Sequence, residues 1–339
     1  MLDQFNKIFR DYNEISVRYD KDQEAIWCYF KPQSRPCFSP RLLQESKEIQ
    51  QSVIKYLTAC DKPAKYPIRF FIIASQTPGV FNFGGDLNLF VKLIEGQERD
   101  QLLEYAKNCI DICYMNAVSM HLPITTISLV QGSALGGGFE SALSGNVLIA
   151  EEHAEMGVPE IRFNLFPGMG AYSFLARKCG TYTAEQILRS GKIYKATELH
   201  EMKIVDVLVE SGQGHEAVDR YIKNHKRALN GMQAIQSVKQ FYNPVTYEEL
   251  IGISKIWVDA ALKLSQTDLR VMQRIVSAQN RGFLRSNPAS KPKLVRTRQD
   301  RRMEYQNVTF PFYDRSGSQV HHDRRMFDRR EQGRLQMSG

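Results

Sequence analysis

The stretch from residue 125 to residue 138 constrains the fold of this chain most. Apolar and β-branched residues at 125–130 predict a buried strand, which leads into Gly136, Gly137 and Gly138 and then into a helical segment. Glycines allow the backbone to turn sharply and to approach a ligand closely. The N–H groups at a helix start lack partners and lie at the positive end of the helix dipole, so they can stabilise an oxyanion. Close helix packing alone would also account for the glycines.

Strands and helices alternate over the first 210 residues, which favours an α/β architecture. The spacing of apolar residues predicts two strands within 14–32, a helix over 40–58, a buried strand at 68–75, a helix over 98–120, and strands at 125–130 and 147–150. Beyond residue 213 the strand patterns fade. Residues 214–240 and 246–284 are predicted to be helical, with Asn243-Pro244 between them.

The composition is that of a globular protein kept in the cytoplasm. Hydrophobic residues make up 42% of the 339, and no apolar run is long enough to span a membrane. The first 14 residues contain no apolar core, so no secretion signal is expected. The six scattered cysteines form no C-x-x-C pair and are expected to be reduced thiols. The histidines show no ligand-like spacing, so neither a metal nor another cofactor is predicted.

The positive charge is concentrated at the C-terminal end. Residues 286–339 contain twelve Lys/Arg and six Asp/Glu, and therefore carry +6 of the net charge of +8. The preceding body is nearly neutral, so the basic balance does not indicate that the whole protein binds nucleic acid. The tail is polar and is expected to be disordered. It could bind a nucleic acid or an anionic surface, but it lacks closely spaced aromatic residues on which bases would stack.

Three further features carry possible chemistry. Gly84-Gly85-Asp86 follows a buried strand, where Asp86 could simply be a helix N-cap. Glu140 follows the glycine triplet and could be an ordinary first-turn carboxylate. Glu160 lies in an apolar run, and a buried carboxyl is costly unless it has a partner or a task. An ion pair with Arg162 is the structural alternative for Glu160.

In combination these motifs resemble the crotonase (enoyl-CoA hydratase/isomerase) superfamily from about residue 14 to residue 285. The order is F-N-x-G-G-D-L, then G-x-A-L-G-G-G-x-E, then a P-E pair and a P-G-x-G segment. The resemblance implies an α/β fold with a ββα spiral core over 1–212. It also implies a C-terminal helical region over 213–285 that completes the acyl pocket, and a homotrimer. The basic tail at 286–339 is not part of the resemblance.

The resemblance also implies roles for particular residues. Gly85 and Gly137 match the two positions whose N–H groups form the oxyanion hole of the family, and Glu140 and Glu160 match its two acid–base glutamates. Substrate-binding positions are expected at Gly136, Met169 and Trp257. Trp257 lies in an apolar run, where helix packing is an equally good interpretation.

The segment from Ile161 to Ser173 is similar to the branch of the superfamily that makes cis-2-unsaturated fatty acid signals for quorum sensing. Asn88 stands where many hydratases have a lysine that helps to bind CoA phosphate. The resemblance therefore implies dehydration of a 3-hydroxyacyl thioester, carried by acyl carrier protein or CoA, followed by hydrolysis to the free acid. One alternative is an ordinary enoyl-CoA hydratase or isomerase without thioesterase activity. Another is a catalytically idle protein that binds acyl groups or a signalling partner.

Overall fold

The computed structural model describes residues 2–31, 36–60, 67–286, 312–313 and 319–320. The chain divides into two compact units, Met1–Lys291 and Pro292–Gly339. The strands of the first unit are β1 Ile15–Asp20, β2 Ala25–Phe30, β3 Phe70–Ser75, β4 Val80–Asn82, β5 Thr125–Val130, β6 Ser133–Leu135, β7 Val147–Glu151, β8 Glu155–Gly157, β9 Ile193–Lys195 and β10 Val207–Val209.

Eleven helices of the described residues accompany these strands. They are α1 Leu2–Ile8, α2 Pro40–Thr58, α3 Leu87–Glu95, α4 Arg99–Ala117, α5 Gly137–Ser144, α6 Ala171–Ser190, α7 Ala196–Glu201, α8 Gly214–Arg227, α9 Leu229–Tyr242, α10 Tyr247–Ala261 and α11 Gln266–Ser286. Short 3-10 helices cover Ser119–His121 and Pro159–Phe163.

The first unit contains two sheets. The larger has the strand order β1-β2-β3-β5-β7-β10, and the smaller has the order β4-β6-β8-β9. The chain contributes β3, β5 and β7 to the larger sheet, and after each it adds β4, β6 or β8 to the smaller one before entering a helix. These strands pair in parallel within each sheet. The repeated strand–strand–helix turn is the ββα spiral that the sequence resemblance implies.

The central strands of the larger sheet are buried on both faces. Along β2, Ile26 and Cys28 pack into the larger apolar cluster, whereas Trp27 and Tyr29 pack into a second cluster with α8. Successive side chains of a strand point to opposite faces, so a strand buried on both sides is apolar throughout. This explains why the predicted strands appear as continuous apolar runs.

The predicted strands and helices before residue 150 are present. Helix α2 begins after Ser39, whose hydroxyl accepts the N–H of Leu42, and α3 begins after Asp86, whose carboxylate accepts the N–H groups of Asn88 and Leu89. The N-cap interpretation of Asp86 is therefore confirmed. Helices α1, α6 and α7 and the short strands of the smaller sheet were not predicted from the sequence, and α3 was predicted only through its N-cap, Asp86.

The C-terminal helical prediction was too coarse. The chain over 214–240 forms two helices, α8 and α9, because Ala228 leaves helical geometry at φ −125°. The chain over 246–284 forms α10 and α11, which are separated by a turn before Gln266. The six cysteines, which all lie within the described residues, form no disulfide. In the described part of the chain, no helix has the length and apolar character needed to cross a bilayer.

The second unit is described at only four residues. Strand β11 (Phe312–Tyr313) pairs with strand β12 (Gln319–Val320) in antiparallel fashion. The rest of the predicted disordered tail lies outside the described residues.

Candidate active site

The turn between β6 and α5 has the geometry that its glycines permit. Gly136 is the N-cap of α5 and adopts φ +52°, in the region that glycine enters without steric cost. A side chain at Gly136 would also collide with Glu160, because a Cβ atom there would lie 2.5 Å from Glu160 Oε1. The second glutamate therefore rests directly on the main chain of this turn.

The turn before α3 lies against the turn before α5. A Cβ atom on Gly84 would be 2.7 Å from the backbone nitrogen of Gly137, and one on Gly137 would be 3.3 Å from the nitrogen of Gly85. The N–H groups of Gly84 and Gly136 donate to Asn82 Oδ1 and to Gly157 O. Among the described residues, neither Gly85 nor Gly137 has a hydrogen-bond acceptor for its N–H. Two unengaged donors therefore lie close together on one wall.

Glu140 lies in the first turn of α5 and is 1% exposed. Its Oε1 accepts the backbone N–H of Met169 at 2.7 Å and that of Ala171 at 2.9 Å. Burial raises the pKa of this carboxyl, and the two backbone hydrogen bonds only partly oppose the effect. The residue is thus fixed by main-chain donors, and this arrangement holds its carboxyl in place without an ion pair.

Glu160 lies in the 3-10 helix that follows β8. Its Oε2 is buried and has no hydrogen-bond partner, although the residue as a whole is partly exposed. Burial and the nearby charge of Glu140 both raise the pKa of its carboxyl. No ion pair between Glu160 and Arg162 occurs among the described residues, so the structural alternative for Glu160 is wrong.

One cavity unites the predicted site residues. Its volume is about 30 Å³. Its lining includes all seven residues predicted from the sequence, namely Gly85, Gly136, Gly137, Glu140, Glu160, Met169 and Trp257. The structure therefore brings together the turn glycines, both glutamates and the expected substrate-binding residues, while their chemical roles stay predictions.

Trp257 both packs and lines the cavity. It is 3% exposed, and its ring meets the Phe90 ring edge to face at a centroid distance of 5.1 Å. A Cβ atom on Gly168 would lie 2.2 Å from Trp257 Cγ, so a glycine is required where this ring crosses the main chain. The helix-packing interpretation and the pocket interpretation of Trp257 describe the same contact surface.

Ten further lining residues were not predicted to belong to the site, although some of them lie within the sequence motifs. They are Phe83, Leu87, Phe90, Leu135, Pro159, Phe163, Leu165, Gly168, Ile275 and Gln279. The apolar spacing of α3 could have revealed Leu87 and Phe90 as an inward face. Ile275 and Gln279 come from α11, which is far away in sequence, and nothing local distinguishes them from other helical residues.

Tyr105 stabilises the turn before α3. Its hydroxyl donates to the carbonyl of Phe38 at 2.5 Å and accepts the N–H of Asp86 at 3.1 Å. Burial raises the pKa of this phenol well above its usual value, so it stays protonated and can donate. Tyr105 therefore holds the residue next to Gly85 in place.

A larger hollow of about 510 Å³ lies elsewhere, beneath α9. Its carboxylate is Glu248, and its lining includes His225 but neither of the glycine turns. It lacks the combination of backbone donors and paired carboxyls, so the smaller cavity is the better candidate for catalysis. Among the described residues, no group of three or more His, Cys, Asp or Glu could hold a metal ion.

The site geometry suits acid–base chemistry beside an oxyanion. The charge on each buried glutamate opposes ionisation of the other, so the pair can hold a single proton near neutral pH. One carboxyl can then remove a proton while the other supplies one. Backbone N–H groups beside the pair can stabilise the negative oxygen of an enolate.

Comparison with known proteins agrees with this geometry. Residues 46–270 match the family model described as enoyl-CoA hydratase/isomerase. A mitochondrial protein of Arabidopsis thaliana, named a probable enoyl-CoA hydratase, is 32% identical over 148 residues, which cover 44% of this chain and 47% of that protein. Methylglutaconyl-CoA hydratase of Mus musculus is 28% identical over 175 residues, or 52% of this chain and 53% of that protein. The chain spans about half the length of these curated relatives.

Solved structures share the fold. An enoyl-CoA hydratase from Bacillus halodurans superimposes with a TM-score of 0.61 at 21% identity, covering 78% of this chain and 100% of that one. One from Bacillus anthracis gives a TM-score of 0.57 at 22% identity, covering 78% and 97%. Identity at this level carries the fold but not the reaction.

Proposed function

Because this chain belongs to the enoyl-CoA hydratase/isomerase family, we propose that it dehydrates a 3-hydroxyacyl thioester to a cis-2-enoyl thioester and then hydrolyses the product to the free acid. The observation that carries the proposal is one cavity that combines two glutamates of raised pKa with two backbone N–H groups that have no acceptor among the described residues. The substrate chemistry requires both features at once.

In the dehydration step, one glutamate removes the proton from the α-carbon of the thioester. The electron pair of that C–H bond moves towards the carbonyl oxygen, which the N–H groups of Gly85 and Gly137 stabilise by about 3–4 kcal/mol per donor. The electrons then form the new double bond, and the C–O bond at carbon 3 breaks. The other glutamate protonates the departing hydroxyl, which leaves as water. The glutamate that acted as the base is then protonated, and the one that acted as the acid is ionised.

In the hydrolysis step, an ionised glutamate removes a proton from the water that attacks the thioester carbonyl, and the same two N–H groups stabilise the tetrahedral oxyanion. Collapse of the intermediate breaks the C–S bond, the glutamate returns the proton to the departing sulfur, and the free carboxylic acid remains. The segment from Ile161 to Ser173 supports this finer proposal, because it departs from the usual hydratase pattern in sequence. It also supplies the Met169 and Ala171 N–H groups that hold Glu140.

The carrier is proposed to be an acyl carrier protein. Asn88 is exposed at the start of α3, where many hydratases have a phosphate-binding lysine. Its backbone N–H donates to Asp86 Oδ1 at 3.2 Å. The basic residues beyond 286 would suit an acidic carrier by electrostatic steering.

The homotrimer remains a prediction. Light scattering tests it directly, because a monomeric mass would contradict it.

A second candidate is an ordinary enoyl-CoA hydratase, which the names of the relatives favour. Mass spectrometry of the products distinguishes the two functions. The protein is incubated with 3-hydroxydodecanoyl carrier protein and, separately, with the CoA thioester of the same acid. A free cis-2-enoic acid supports the proposal. A trans-2-enoyl-CoA thioester with no free acid would support the ordinary hydratase, and no product from either substrate would favour the idle binding protein.

A further inference from the structure

Two further small hollows continue the catalytic cavity into the core. The first has a volume of about 10 Å³ and shares Gly137 and Met169 with the catalytic cavity. The second has a volume of about 20 Å³ and shares Phe38, Ile112 and Ser141 with the first. The three hollows therefore form a series that leads from the oxyanion glycines to the interior.

The walls of this series are mostly apolar, although Ser141 lines both inner hollows. Cys109, Ile112, Cys113 and Asn116 of α4 are spaced at i, i+3, i+4 and i+7, which places them on one face of the helix. Seven residues of helix advance the path by about 10 Å. Burial raises the pKa of both cysteines, so they stay neutral thiols that behave as small apolar groups.

Met169 stands at the entrance to the first inner hollow. Its Sδ lies 3.0 Å from a Cβ position on Gly137, and its Cε lies 3.6 Å from one on Gly85. Each inner hollow is about the size of a water molecule, so an acyl chain can enter only if side chains move. Methionine has three rotatable bonds and adapts readily to a changed packing partner. Rotation of Met169 would join the cavity to the inner hollows.

Two buried polar side chains, Gln50 and Asn116, line the second inner hollow. Gln50 Nε2 donates to the carbonyl of Ile112 at 3.1 Å and to Asn116 Oδ1 at 2.8 Å. Asn116 Nδ2 donates in turn to Ser144 Oγ at 3.0 Å. All three side chains are at most 3% exposed. An acyl chain that reached this group would separate hydrogen-bonded partners that have no water to replace them, which is unfavourable.

We propose that the acyl chain of the substrate enters past Met169 along the face of α4, and that the Gln50–Asn116–Ser144 group is the stop that limits its length. The inference rests on the proposed function and names its substrate class, a thioester whose apolar chain ends before this group. In this proposal the reaction takes place in the catalytic cavity, and the polar group limits the length of acyl chain that can bind.

The test compares chain-length preference in three variants. Gln50→Ala shortens the stop, and Ile112→Phe fills the path. Ile110→Ala is the matched control, because Ile110 is a fully buried isoleucine of the same helix that lines none of the three hollows. Thermal shifts with saturated octanoyl, decanoyl, dodecanoyl and tetradecanoyl pantetheine report binding. The kcat/KM values for the corresponding 3-hydroxyacyl thioesters report turnover.

We expect Gln50→Ala to favour longer chains and Ile112→Phe to favour shorter ones. The ratio of dodecanoyl to octanoyl kcat/KM should change by about tenfold or more, the scale of one methylene in an apolar pocket. Ile110→Ala should keep the native ratio despite its loss of stability. If both test variants keep the native kcat/KM ratios and the native thermal-shift preferences, the proposal that this polar group limits chain length is wrong. If the unsubstituted protein turns over none of these thioesters, the proposed function is wrong. The thermal shifts alone then test whether the polar group limits chain length.

Discussion

Glu140 Oε1 accepts the backbone N–H of Met169 at 2.7 Å. The first glutamate is thereby tied to the residue that separates the catalytic cavity from the inner hollows. A shift of the 169–171 segment would move both the carboxyl group and this wall. The position of the Glu140 carboxyl is therefore coupled to the position of this wall through the hydrogen bonds from Met169 and Ala171.

Replacement of either glutamate should abolish most of the turnover. In Glu140→Gln and Glu160→Gln the side-chain shape is kept but proton transfer is lost, so we expect a decrease in kcat of at least about a hundredfold. Circular dichroism should show both variants folded. Dehydration is measured by product mass spectrometry with the preferred 3-hydroxyacyl thioester.

Glu151→Gln is the control for these two variants. Glu151 is also buried, at 3% exposure, but its carboxylate accepts the N–H groups of Gly212 and Gly214, away from the cavity. Its replacement should reduce stability and leave kcat within a few-fold of the native value. Near-native turnover in Glu140→Gln or Glu160→Gln would remove that residue from the mechanism.

Addition of a methyl group at an oxyanion glycine should impair catalysis. In Gly137→Ala the new Cβ would lie 3.0 Å from Met169 Sδ and 3.3 Å from Gly85 N, where the substrate oxygen is proposed to bind. Alanine keeps the backbone N–H, but its methyl group would hold the substrate oxygen away from that donor, and loss of one oxyanion donor costs about 10²–10³-fold in kcat. Steady-state kinetics of the folded variant measure the effect.

The control for the glycine is Gly252→Ala in α10, where a new Cβ meets no atom within 4 Å. Alanine is the better helix former by about 1 kcal/mol, so this variant should gain stability and keep native kinetics. A Gly137→Ala enzyme as active as Gly252→Ala would refute the oxyanion assignment.

The raised pKa of Glu160 predicts a pH-dependent gain in stability for Glu160→Gln. The folded protein holds this proton more tightly than the unfolded chain does. The stabilising contribution is therefore complete below the ordinary glutamate pKa and is lost as pH rises through the folded pKa. Glutamine does not titrate, so the variant should be more stable than the native protein at alkaline pH. The expected difference is at least about 1.4 kcal/mol, the equivalent of one pKa unit.

Denaturant unfolding at several pH values measures this difference. Glu151→Gln should behave in the opposite way. Burial raises the pKa of Glu151, but hydrogen bonds from Gly212, Gln131 and Gly214 together bring it below its ordinary value. Its contribution is present above the unfolded pKa and is lost as pH falls through the folded one. A stability difference for Glu160→Gln that does not grow with pH would show that its carboxyl is not destabilised by burial.

Truncation after Arg285 tests whether the basic tail guides a carrier protein. Chemistry on a short thioester mimic should be unchanged. If the tail steers an acidic carrier, kcat/KM for the carrier-bound substrate should fall on truncation, and the loss should shrink as salt is added and the Debye length decreases to about 8 Å. Equal kcat/KM at low salt for the full-length and truncated proteins would eliminate the docking role.

The sequence by itself determined the local units. The apolar run of β5 and the glycine triplet predicted a strand, a turn and a helix, and Asp86 predicted a helix start. These features are encoded locally, because strand burial, backbone freedom and capping each depend on residues within a few positions. Glu160 stood out because an acidic residue is costly in apolar surroundings, whereas Glu140 was singled out only through the family resemblance.

Only the tertiary structure decided how these units meet. Glu140 is held by N–H groups about thirty positions along the chain, and its cavity is closed by Trp257 and Ile275 from later helices. Among the described residues the structure also leaves Glu160 without an ion pair to Arg162, and it places the hydrogen-bonded Gln50 and Asn116 in the lining of the second inner hollow. Local patterns do not encode such distant contacts, because the packing of whole helices and sheets sets the position of each side chain.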